Sequence, residues 1–197
     1  MNNLKNQFPP LTVVLIVISV LVAVVSKLGT SEQVLDYLFI ADPSGSGFDA
    51  VASGQVWRLI TPIFIHFGLM HIVFNMLWMW DLGGLVEMRR GTLFLTAFVV
   101  IDGVASNLAQ YAMTGSPFFG GMSGVVYGLL GFVWMQGRYN PQFGYALTKP
   151  TVVMMLAWFV LCWLGVLGPI ANWAHTAGLL IGTAWGFVNR GGPAKGR

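Results

Sequence analysis

Residues Gly103 to Gly137 read GVASNLAQYAMTGSPFFGGMSGVVYGLLGFVWMQG, a run without one Asp, Glu, Lys or Arg. A helix needs about 20 residues to cross roughly 30 Å of hydrocarbon. The run is therefore long enough for two crossings, and Thr114-Gly115-Ser116-Pro117 supplies a break between them. Two more uncharged runs flank it, Leu59 to Trp80 and Thr151 to Asn189, and the latter breaks at Gly165-Val166-Leu167-Gly168-Pro169. Over all 197 residues, 56% are hydrophobic and 9% charged, against about 25% charged in an ordinary soluble domain. A water-facing surface cannot be built from so few charges, so lipid is the expected solvent.

Outward from this segment, the pattern predicts an all-α membrane protein of six spans at about 10–28, 66–86, 93–113, 122–138, 151–167 and 172–189. The stretch Leu11 to Leu28 has no small-residue cleavage site after it and reads as a retained helix, not a signal peptide. One domain over 1–197 is expected, with no extra cytoplasmic domain. Cys162 is the sole cysteine, which leaves no disulfide framework and no cysteine-based metal site. The pI near 9.2 does not point to nucleic acid, because the ten Lys and Arg are scattered between apolar runs and form no basic patch with interleaved aromatics.

Those cations report orientation instead. With a cytoplasmic N-terminus, Lys5, Arg89, Arg90, Arg138, Lys149, Arg190, Lys195 and Arg197 fall inside and only Lys27 and Arg58 outside, as the positive-inside rule requires. Both termini are then cytoplasmic. Glu32, Asp36, Asp42 and Asp49 fall in a long external segment, 29–65. Its apolar residues Phe39, Phe48, Val56 and Trp57 predict a structured element lying partly in the outer interface.

Polar residues inside spans are expensive and are functional suspects by default. His71 and Asn75 are four apart on span two and share a helix face. Ser123 opens span four within Gly120-Gly121-Met122-Ser123-Gly124, and His175 lies one turn into span six. Spans two, four and six enter from the same side, so the four polar groups come to similar depth in the outer half of the bilayer. Gly124 and Gly128, and Gly178, Gly182 and Gly186, form small-xxx-small patterns that allow close helix approach. Ser123 is thus the expected neighbour of His175.

A serine hydroxyl becomes a good nucleophile when a nearby base takes its proton, and a neutral histidine can do so. Free N–H groups at a helix start, with His71 and Asn75, can stabilise an oxyanion. The set meets the needs of acyl transfer. Asp81 lies roughly 9 Å along the helix from Asn75 and Asp102 is mid-span on the third helix, so neither is well placed to orient His175. A Ser–His dyad is the preferred reading. Each residue also has a bland one: membrane serines mostly pack or bond back to their own helix, a buried histidine often bridges helices, and glycine pairs serve packing. His66 is read as fastening the external segment. The i+5 spacing of His66 and His71 disfavours a metal site, and no cofactor is expected. A transporter would want more intramembrane carboxylates than Asp102.

The motifs Trp57-Arg58, His66-Phe67-Gly68-Leu69-Met70-His71-Ile72-Val73-Phe74-Asn75, Glu87-Met88-Arg89, Gly121-Met122-Ser123-Gly124 and Ala174-His175-Thr176-Ala177-Gly178 through Gly182 span nearly the whole chain. Through them it resembles the bacterial rhomboid intramembrane serine proteases in their short six-span form. The resemblance implies Ser123 as nucleophile, His175 as general base, and His71, Asn75 and the Ser123 N–H as the oxyanion site. It also implies supporting roles for Tyr127, which packs on the histidine ring, and for Gly121, Gly124 and Asn172. Expected substrates are transmembrane helices cut near the outer face of a bacterial inner membrane, and Phe74, Trp158 and Phe159 would line a lateral entrance between spans two and five. The partners implied are membrane proteins and lipid, and nothing in the sequence sets an oligomeric state. The alternative is a silent member of the same fold that binds transmembrane helices without cutting them.

Overall fold

The computed structural model describes residues 8–45, 47–166 and 168–191. Lys5, Leu167, Lys195 and Arg197, read above, lie outside the described residues. Regular structure among the described residues is helical, with six long helices. They are α1 (Pro10–Val25), α2 (Leu69–Arg90), α3 (Thr92–Thr114), α4 (Ser123–Tyr139), α5 (Lys149–Trp163) and α6 (Asn172–Val188). By length and composition, α2 and α3 are long and apolar enough to cross a membrane, while α1 and α5 are shorter apolar helices.

Several boundaries differ from the sequence expectation for local reasons. α1 stops at Val25 instead of residue 28, because Lys27 and Leu28 take left-handed backbone angles (φ 50° and 57°). α2 starts at Leu69 instead of residue 66, since Gly68 sits at φ 93°, which only glycine adopts without cost. It then runs on to Arg90 through a π-helical turn over Met79–Gly83. α5 begins earlier, at Lys149, where the Thr148 hydroxyl caps the helix by accepting the Thr151 N–H (3.3 Å).

α4 is the central helix, buried without interruption from Gly124 to Val133. Leu129, Leu130 and Phe132 pack with Leu95 and Phe98 of α3 and with Met79 of α2 in the main core. α6 lies closest to α4. A Cβ on Gly178 would strike the Gly124 carbonyl, one on Gly182 the Gly128 carbonyl, and one on Gly186 the Phe132 carbonyl. The same four-residue step on both helices carries this contact down their length. α3 closes the third side, with the Asp102 carboxylate against Gly128 and Ser106 against Gly124.

Two charged side chains tie the ends. Glu87 accepts from the N–H groups of Leu11 (2.9 Å) and Thr12 (2.8 Å) and from the hydroxyls of Thr12 and Thr92 (both 2.8 Å). One carboxylate thus joins α2 to the open N–H groups of α1 and to the start of α3. Arg58 is 2% exposed and donates to the carbonyls of Asp36 (2.5 Å) and Phe39 (3.0 Å) and to Gln55 Oε1 (2.7 Å). It gathers the segment between α1 and α2, which contains short helical turns at Glu32–Leu35, Asp49–Ala52, Val56–Leu59 and Thr61–Phe64. Asn107 Nδ2 on α3 holds this segment through the Leu59 carbonyl (2.9 Å).

The glycine seam gives a direct test. Gly182→Val is expected to lower stability in detergent by about 3 kcal/mol or more, because overpacking here meets backbone and not a yielding side chain. Leu180→Ala, on the exposed face of the same helix, is expected to change it by less than about 0.5 kcal/mol. Thermal or denaturant unfolding of the two variants checks the contrast.

Candidate active site

The loop before α4 is built to deliver Ser123 at a helix start. Gly120 packs so tightly that a Cβ would meet Ile65 Cβ at 2.6 Å. The Gly121 N–H donates to the Pro62 carbonyl (3.0 Å), and Gly121 itself has φ +120°. Ser123 is the first residue of α4, where backbone N–H groups have no helical carbonyl ahead of them.

His175 occupies the first turn of α6 and is 5% exposed. Its Nε2 lies 2.7 Å from Ser123 Oγ. The Tyr127 ring, one turn beyond Ser123, lies beside the imidazole at 4.8 Å between centroids and 43° between planes. The Tyr127 hydroxyl donates to the Met155 carbonyl on α5 (3.3 Å), and Phe159 packs edge-on to the same ring at 5.5 Å.

His71 stands in the first turn of α2. Its Nδ1 accepts the Phe67 N–H (3.2 Å), so in the neutral ring the proton resides on Nε2 and that nitrogen donates. A Cβ on Gly121 would fall 2.6 Å from His71 Nε2 and 3.6 Å from Ser123 Oγ. The missing side chain therefore marks a space bounded by an N–H donor on one side and the serine oxygen on the other. Asn75 is buried, but its Nδ2 donates to the His71 carbonyl on its own helix (2.9 Å) and makes no hydrogen bond to Ser123 or His175. Asn172 Nδ2 donates to the Cys162 carbonyl (3.1 Å) and ties the start of α6 to the end of α5. Gly124 admits Ser106 and the Ala174 carbonyl, each of which a Cβ there would crowd.

The remaining candidates fall nearby without touching the pair. Phe74 and Trp158 face each other between α2 and α5 at 6.3 Å, both about half exposed. His66 is fully buried, donates through Nδ1 to the Phe64 carbonyl (3.1 Å) and has its ring 5.0 Å from that of His71. Among the described residues, no three His, Cys, Asp or Glu gather as a metal site would require.

One supporting residue escaped the sequence reading. Gln110 Oε1 accepts the N–H groups of Trp173 (3.1 Å) and Ala174 (3.3 Å), which caps the helix start that carries His175. Its signal was the i, i+4, i+8 row Asp102, Ser106, Gln110 on one face of an otherwise apolar span.

Comparison with known proteins gives the family of the chain. Residues 53–191 match the family profile described as Rhomboid domain. The chain is 41% identical over 187 residues to the Rhomboid protease GlpG of Salmonella choleraesuis (strain SC-B67), covering 94% of this chain and 65% of that protein. The Rhomboid protease GlpG proteins of Salmonella newport (strain SL254) and Salmonella typhimurium (strain LT2) match with the same identity and coverage. The chain thus spans 65% of the length of these relatives. By a profile match over most of its length and by these relatives, the chain belongs to the rhomboid family.

Proposed function

We propose that this chain is an intramembrane serine endopeptidase that uses Ser123 and His175 as a dyad and cuts transmembrane segments near the outer face of the bilayer. The observation that carries the reading is the 2.7 Å approach of His175 Nε2 to Ser123 Oγ at the heads of two adjacent helices. It is supported by the name of the relatives, each a rhomboid protease.

The chemistry follows from the donors and acceptors in place. Ser123 Oγ attacks the scissile carbonyl carbon while its proton passes to His175 Nε2. The carbonyl oxygen becomes an oxyanion beside Gly121, within reach of His71 Nε2–H and the Ser123 N–H. His175 then returns the proton to the leaving amine, and water, activated by the same imidazole, hydrolyses the acyl-enzyme. Asn75 joins the oxyanion donors only when its amide swings away from the His71 carbonyl. Each such donor contributes about 10²–10³ in rate. Tyr127 holds the imidazole plane, Gly124 lets α3 and α6 close on α4, and Asn172 anchors the turn that bears His175.

In the membrane we propose one domain of six spans made by α1 to α6, with Arg89, Arg90, Arg138, Lys149 and Arg190 on the cytoplasmic side of a bacterial inner membrane and the segment around Arg58 outside. The substrate helix enters between α2 and α5, where Phe74 and Trp158 face each other. Partners are then membrane-protein substrates and lipid.

Ser123→Ala and His175→Ala are each expected to abolish cleavage of a test substrate with one transmembrane helix, a loss of about 10³-fold or more, with unfolding midpoints unchanged. Labelling by a fluorophosphonate probe should vanish in Ser123→Ala; a purified Ser123→Ala protein that still cleaves, or a native protein that never labels, sinks the reading and favours a helix-binding role. Gly121→Ala should cut kcat by about 100-fold or more with KM little changed, because the added methyl fills the oxyanion space; steady-state kinetics decides. In a Cys162→Ala background, a cysteine at Asp42 should react with an impermeant maleimide on intact cells, and one at Arg138 only after permeabilisation.

A further inference from the structure

Three buried polar groups at the junction of α3, α4 and α6 have no hydrogen-bond partner among the described residues: His175 Nδ1, Ser106 Oγ, and both carboxylate oxygens of Asp102. Their residues are 5%, 2% and 0% exposed. Such groups cost free energy unless they are paired, and an ionisable residue within a span needs a named partner.

Position and chemistry suit these three to one another. Asp102 and Ser106 are one turn apart on a single face of α3. The Asp102 carboxylate abuts α6 at Gly178, where a Cβ would fall 3.2 Å from Oδ2. Ser106 is one level nearer the head of α6: a Cβ on Gly124 would fall 3.0 Å from Ser106 Oγ and 3.3 Å from the carbonyl of Ala174, the residue before His175. The hydroxyl therefore sits between the carboxylate and the level of the imidazole. A neutral imidazole that accepts at Nε2 carries its proton on Nδ1 and must donate there; a hydroxyl both accepts and donates; a carboxylate only accepts.

We propose that Asp102, acting through the Ser106 hydroxyl, is the positioning residue of His175: Nδ1–H donates to Ser106 Oγ, and Ser106 to the Asp102 carboxylate, each across one buried water that meets the unpartnered groups. The inference rests on the reading of Ser123 and His175 as the reacting pair. When the Ser123 proton reaches Nε2, the imidazolium faces a carboxylate within the same buried cluster, and no proton moves on to Asp102. The carboxylate lowers the cost of that charged form and fixes the tautomer that leaves Nε2 free to accept. Glycine at 128 and 178 gives it the room: a Cβ at Gly128 would fall 2.5 Å from Oδ1.

Asp102→Asn tests this, because it keeps the shape and removes the charge. The other titratable groups around the His175 ring are Ser123 and Tyr127 from α4, His71 from α2 and, behind Tyr127, Cys162 from α5, and none of them changes in the variant. In purified protein, kcat is expected to fall about tenfold with KM unchanged, and the acidic limb of the kcat/KM–pH profile to move to lower pH by about one unit. Ser106→Ala should produce the same shift, and the double variant should lose no more than either alone. The His175 titration followed by carbon NMR of labelled histidine, assigned with His175→Gln, should move down likewise in Asp102→Asn. An unchanged pH limb and titration in Asp102→Asn, or fully additive losses in the double variant, overturn the relay and leave Asp102 a packing residue. If the native protein cleaves nothing, the protease reading fails, while the His175 titration still decides the relay.

Discussion

Backbone contact between α4 and α6 is the constraint on which the rest of the structure depends. Gly178, Gly182 and Gly186 lie against the carbonyls of Gly124, Gly128 and Phe132 with no space for a side chain. With both helices spanning the bilayer as proposed, no hydrophobic force brings them together in lipid, so close van der Waals packing and polar contacts must do it. The seam performs the first task and the Ser123–His175 contact at its upper end belongs to the second. Because the register repeats every four residues on both helices, a slip along the seam would also part the serine from the histidine.

Around this pair the molecule satisfies buried polar groups locally. Glu87 spends both carboxylate oxygens on four donors, and Arg58 binds two carbonyls and a side-chain amide. Gln110 caps the start of α6 from a neighbouring helix. Each arrangement closes donors or acceptors that a low-dielectric surrounding would otherwise leave costly. Among the buried polar groups left without a partner, Asp102, Ser106 and His175 Nδ1 gather on one side of the histidine that the proposed reaction would charge.

α5 stands apart from this design. It is held by the Tyr127 hydroxyl, by Asn172, by the Trp163 Nε1 donation to Thr176 (3.3 Å) and by the Trp163–Trp173 edge contact at 5.0 Å. Towards α2 it offers the Phe74–Trp158 contact. An element held mainly at its two neighbours on one side is the natural one to move, and the same Tyr127 that touches His175 also holds α5. The proposed substrate entrance and the imidazole are therefore mechanically joined through one side chain.

The helical class and the uncharged runs were legible in the sequence, because each is a property of a single segment, and Ser123 and His175 were expected as neighbours because helices read as entering from the same side carry them at similar depth. The glycine pattern was legible for the first of these reasons. Helix ends at Val25 and Leu69 were not, since they turn on backbone angles at Lys27, Leu28 and Gly68 that no periodicity reports. Only the tertiary structure decided that Asn75 bonds to its own helix, that Gln110 caps α6, and that Ser106 and Asp102 stand beside the glycine seam. Those outcomes depend on which groups of separate helices lie within about 3 Å of one another, and hydrogen bonding at that range is set by the packing of the whole bundle, not by the residues of any one helix.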